Sequence, residues 1–148
     1  MADKYIHYGS KTFDPNKINT TGNIVSDILS KPYECFWASP TEAPYQSWKD
    51  WCKSTGFHLD LLEESIVFSL SDNAKILKIH SDNDLNRIQE IDYYWDNIDR
   101  FRTLNYNQLY EMGYDGIEIF MASSNIRSTF WGWDADSLVL WNPDVVIF

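Results

Sequence analysis

The chain has 148 residues, 44% of them hydrophobic, and a chain of this length buries about two-thirds of the surface it exposes when unfolded, so one domain over 1–148 is expected. Twelve Lys and Arg against 22 Asp and Glu leave a formal charge of -10, which repels phosphate backbones and disfavours direct nucleic-acid binding. No charged-then-apolar leader opens the chain and no apolar run approaches the roughly 18 residues that span a bilayer, so a soluble cytoplasmic protein with no membrane association is expected.

In chain order, residues 5–8 read as a first strand. The Asn-, Thr- and Ser-rich stretch after it carries, beyond Ile18, apolar residues only at Ile24, Val25, Ile28 and Leu29, consistent with a loop and one short helix. Residues 35–38 form a second strand, and Ser39-Pro-Thr-Glu42 has the form of a capping box that starts a helix bearing Trp48, Trp51 and Cys52 on one face, with Gly56 as its stop. Residues 65–70 and 74–79 are β-rich runs separated by Ser-Asp-Asn, which reads as a hairpin turn or tight loop. The spacing of Leu85, Ile88, Ile91, Trp95, Ile98 and Phe101 predicts a long amphipathic helix over 84–101, with Asp92, Asp96 and Asp99 on a solvated face.

A short helix over 105–112 is closed by Gly113 and followed by a strand over 116–120. A loop over 122–133 leads to strands 137–141 and 145–148, with Asn142-Pro-Asp144 as the turn between them. Because strands come in runs rather than in strict alternation with helices, the expectation is an α+β domain with mixed or antiparallel sheets. Cys35 and Cys52 lack metal-ligand spacing and read as reduced core thiols, and the three His add no zinc pattern. Phosphate-loop, dinucleotide-binding and nucleophile-elbow motifs are absent from the sequence.

Aromatic residues make up 16% of the chain, more than a core of this size needs, so some are expected to line a cleft where flat rings stack on a ligand. Three segments carry polar groups beside aromatic or small residues: Tyr5-Ile-His-Tyr-Gly-Ser10, Cys35-Phe-Trp-Ala-Ser39, and Asp134-Ala-Asp136 before Ser-Leu-Val-Leu-Trp. Their order resembles that of the three motifs of the ADP-ribosyltransferase superfamily. The resemblance implies two small mixed or antiparallel sheets with about three helices around a split NAD cleft. It further implies transfer of ADP-ribose from NAD to a macromolecular target, most naturally a protein, as in effector, toxin or phage counter-defence members.

Residue by residue, the resemblance makes His7, Tyr8, Gly9 and Ser10 the first motif, which binds the ribose and the nicotinamide amide. The family form is His-Gly-Ser, so the extra residue leaves either His7 or Tyr8 in the ribose position. Phe36 or Trp37 supplies the ring against nicotinamide, with Ser39 and Tyr45 nearby. Asp136 is the implied catalytic carboxylate that stabilises the sugar cation, Asp134 orients the nucleophile, and Glu118 is the reserve carboxylate. The family has Glu where Asp136 stands. Gly113-Tyr-Asp-Gly-Ile117 resembles a segment found before the third motif, and the 123–133 loop would face the target. Two other readings stand beside transfer: NAD hydrolysis, with water in place of the target, and a non-enzymatic acidic inhibitor that covers a basic surface of a protein partner.

Overall fold

A computed structural model describes residues 3–18, 24, 26, 30–98 and 101–148. Among the described residues nine strands run in chain order: β1 Lys4–Tyr8, β2 Phe36–Pro40, β3 Ser65–Leu70, β4 Ile76–Ile79, β5 Trp95–Ile98, β6 Phe101–Leu104, β7 Gly116–Ile119, β8 Ser137–Leu140 and β9 Val146–Ile147. Four α-helices intervene among the described residues: α1 Trp48–Thr55, α2 Asp82–Gln89, α3 Tyr106–Glu111 and α4 Ser124–Thr129. Seven strands form one mixed sheet in the order β4-β7-β8-β2-β1-β3-β9, and β5 and β6 pair as a separate antiparallel ribbon. Among the described strand pairs only β4 and β7 run parallel. The fold is therefore a small α+β domain with a mixed sheet, a second two-stranded sheet and four helices.

β7 and β8, second and third in that order, have all their residues buried, as expected of strands covered on both faces. Alternation along these strands separates two apolar clusters. Ile117, Ile119 and Val139 pack with Leu77, Ile79, Leu109, Ile126, Phe130 and Trp141, whereas Leu138 and Leu140 pack with Tyr5, Phe68 and Val145. Gly116 is required where β7 crosses β8, because a Cβ there would collide with the Val139 carbonyl oxygen and the Leu140 side chain.

Several expectations are corrected. The Ser39-Pro-Thr-Glu42 capping box does not start a helix: Ser39 and Pro40 pair with Ile6 and Tyr5, and strand pairing overrides the local signal. The helix begins at Trp48 with Ser47 as its cap, the Ser47 hydroxyl accepting the Asp50 N–H at 3.1 Å. Its face and stop are as read, with Cys52 buried and Gly56 in the left-handed region at φ 72°.

The long helix over 84–101 is cut to α2. Ile91 is extended, Asp92–Tyr94 forms a 3-10 turn and β5 begins at Trp95, whose indole N–H donates to the Ile88 carbonyl at 3.1 Å and so keeps the two residues together without a continuous helix. β3 and β4 are not a hairpin, because β3 pairs with β1 and β9 while β4 pairs with β7. Likewise β8 and β9 pair with other strands rather than with each other. The 122–133 loop contains α4, capped by Ser123. Of the N-terminal helix expectation, Val25, Ile28 and Leu29 lie outside the described residues, while Ile24 is buried.

Candidate functional site

β1 and β2 pair only at Tyr5/Pro40 and Ile6/Ser39. Beyond Ile6 the ladder gives way to a side-chain contact, His7 Nδ1 lying 2.5 Å from the Trp37 carbonyl oxygen. A cavity of about 260 Å³ opens beside these strands, with Ile6, Tyr8, Trp37, Ala38 and Ser39 on its walls. Trp48 at the start of α1, Lys31, and Trp133, Asp134, Ala135 and Ser137 ahead of and within β8 complete the lining.

Alternation along β1 decides which polar groups reach this cavity. Ile6 and Tyr8 face it, whereas Tyr5 and His7 face the opposite side, where Tyr5 stacks on Phe68 at 5.7 Å and His7 on Phe36 at 4.5 Å. The same rule turns Trp37 to the cavity and Phe36 away. Trp37 meets Trp133 at 4.8 Å between ring centroids, and the Trp133 indole N–H donates to the Ser30 carbonyl at 3.0 Å, which fixes that wall. The Ser39 hydroxyl accepts the Trp48 amide N–H at 3.3 Å and so ties α1 to β2. Burial raises the Tyr8 phenol above its ordinary range, and the Asp50 charge adds to the rise.

Asp134 is the one carboxylate on the cavity wall among the described residues. Burial lifts its carboxyl above the ordinary Asp range, and the Lys31 ammonium, 4.0 Å away, acts against that rise. Asp134 is thus a partly shielded acid beside a cation, next to aromatic walls.

Asp136 is placed differently from the sequence expectation. It is fully buried and accepts three backbone N–H groups, from Tyr45 at 2.8 Å, Gln46 at 3.1 Å and Met121 at 2.7 Å. Its own N–H donates to the Gln46 carbonyl at 2.7 Å. A carboxylate so enclosed has no face toward the cavity. It braces the segment before α1 against the sheet.

Glu118 is also turned away, in register with Leu138 on the far face of the sheet. It is 3% exposed, accepts the Tyr5 hydroxyl at 2.6 Å and lies 2.6 Å from His80 Nε2, with the His80 ring stacked on Phe120 at 3.8 Å. Gly9 and Ser10 do not line the cavity: the Gly9 N–H donates to the Glu64 carbonyl and the Ser10 hydroxyl to the Thr12 carbonyl. Tyr45 is exposed and does not line the cavity; its backbone N–H donates to Asp136. Of the residues expected from sequence, the cavity therefore gathers Tyr8, Trp37, Ser39 and Asp134. It adds Trp133, the last residue of the 123–133 loop expected to face the target, and Lys31, which no local pattern marked.

No protein-family model matches the sequence, and no curated protein and no solved structure shows significant similarity to it.

Proposed function

We propose that this cavity holds the nicotinamide riboside half of NAD and that the protein transfers ADP-ribose to a protein target. The observation that carries the reading is the placement of one partly buried carboxylate, Asp134, on the wall of an aromatic cavity that opens where β1 and β2 cease to pair. Trp37 and Trp133 offer flat faces to a nicotinamide ring, and the Tyr8 hydroxyl and Ser39 offer polar contacts to the amide and ribose.

In the reaction, the bond between the ribose anomeric carbon and the nicotinamide nitrogen breaks, and the electron pair leaves with nicotinamide. The sugar becomes an oxocarbenium ion, which an ionised Asp134 stabilises where the charge develops. A nucleophile of the target then forms the new bond to that carbon and gives up its proton. The -10 charge of the chain favours a basic target over a nucleic acid. Asp136 and Glu118 take no part in this chemistry; the first holds the segment that leads into α1, and the second belongs to the Tyr5–Glu118–His80 network.

The test is incubation with NAD labelled in its adenylate part, with and without a cell lysate. Free nicotinamide together with a labelled protein band supports transfer. Nicotinamide without a band supports hydrolysis at the same cavity. Absence of both refutes NAD chemistry and leaves the acidic-inhibitor reading.

A further inference from the structure

We infer that the three-ring cluster of Trp48, Trp51 and Phe57 is an outer stacking platform for the adenine end of the dinucleotide whose nicotinamide end occupies the cavity. This rests on the NAD reading above and deepens it. A cavity of about 260 Å³ falls below the roughly 300–1,000 Å³ of pockets that enclose a drug-sized ligand, so it holds one heteroaromatic ring with its sugar and leaves the rest of the dinucleotide outside. The outer half needs a second surface.

Trp48 supplies the connection, because it lines the cavity and also stacks on Trp51 at 5.1 Å with 19° between planes. Phe57 stands edge-on to both, 5.3 Å from Trp51 at 74° and 6.3 Å from Trp48 at 89°. None of the three belongs to either apolar core, and Phe57 is 45% exposed. Large rings that pack chiefly on one another at a surface leave apolar faces open to a planar ligand. Lys31 on the cavity wall and the exposed Lys49 and Lys53 of α1 are cations in the elements that border both surfaces, suited to the pyrophosphate between two bound ends. Asp50, Asp60, Glu63 and Glu64 lie in the same stretch of chain and oppose a polyanionic strand, so a single nucleotide end fits the surface better than a nucleic acid.

The test compares NAD with nicotinamide mononucleotide, which keeps the ring, the ribose and one phosphate but lacks the adenylate. Calorimetric titrations of the wild type, Trp51→Ala, Phe57→Ala and Trp51→Tyr read the ratio of the two affinities. The wild type is expected to bind NAD about tenfold or more tighter than the mononucleotide, the size of effect that base–aromatic stacking supplies. Both Ala variants should bring that ratio close to one, and Trp51→Tyr should restore most of it. Ala variants that keep the wild-type ratio overturn the platform. So does loss of mononucleotide binding in both, which would make the cluster a support of the cavity. A wild type that binds both ligands equally removes the platform and leaves the NAD reading standing. One that binds neither removes both.

Discussion

Replacing Asp136 by Asn separates a structural brace from a catalytic acid. In the folded protein its two carboxylate oxygens receive backbone N–H groups from Tyr45, Gln46 and Met121, all within 3.1 Å. The Asn amide presents one oxygen and one NH₂ group. Whichever way it is oriented, the NH₂ faces at least one N–H donor, so at least one charge-assisted bond is lost and a buried donor is left unsatisfied. A hydrogen bond to a charged group is worth about 1.5–3 kcal/mol, and a protein of this size loses roughly 2–4 °C of melting temperature per kcal/mol. Asp136→Asn should therefore lower stability by about 2–3 kcal/mol and the melting temperature by roughly 4–12 °C. Asp136→Ala orphans all three donors and should cost more, about 3 kcal/mol or above. Urea unfolding followed by tryptophan fluorescence reads both values. If Asp136→Asn unfolds at the wild-type midpoint yet abolishes turnover of NAD, Asp136 acts in the chemistry and its assignment as a brace is wrong.

Tyr8→Ala should weaken NAD binding about tenfold while His7→Ala leaves it within about twofold and instead lowers stability by about 1 kcal/mol, through loss of the contact with the Trp37 carbonyl; calorimetry and urea unfolding separate the two effects. Asp134→Asn should reduce nicotinamide release by about a hundredfold with little change in NAD affinity, because the charge acts mainly in the transition state. The ionised form is the active one and burial raises its folded pKa, so the acid limb of the rate profile should lie above the ordinary Asp value of about 3.9, and Lys31→Ala, which removes the opposing cation, should move it higher still. The same raised pKa contributes stability that is present below the ordinary Asp range and is lost as pH rises through the folded value. Burial, reinforced by Glu34, pushes the Cys35 thiol up to about 12, so its alkylation by iodoacetamide at neutral pH, followed by mass spectrometry, should be far slower in the native than in the urea-unfolded protein.

Strands were legible wherever apolar runs were short and bounded, as at β3, β7 and β8, and so was the stop of α1 at Gly56, which needs a left-handed backbone. The 84–101 segment misled because Leu85, Ile88, Ile91 and Trp95 keep helical spacing even though α2 ends at Gln89 and the backbone is extended at Ile91. Pairing partners were not legible, since register depends on surfaces distant in sequence, and neighbouring strands such as β3 and β4 need not meet. In the site, Tyr8, Trp37, Ser39 and Asp134 carried local signals that placed them beside the cavity. The difference between Asp134 and Asp136 was not legible, because it lies in tertiary surroundings: Asp136 meets three backbone amides, and Asp134 meets Lys31 at the cavity wall. Lys31 reaches the wall by tertiary folding alone.

Saturation-transfer NMR of the wild type with NAD tests the central claim most directly, because it reports which ligand protons touch the protein. The nicotinamide protons should receive strong saturation through Trp37 and Trp133, and Trp37→Ala should reduce it selectively. No transfer at millimolar NAD, or transfer untouched by Trp37→Ala, would contradict the assignment of this cavity as the NAD site.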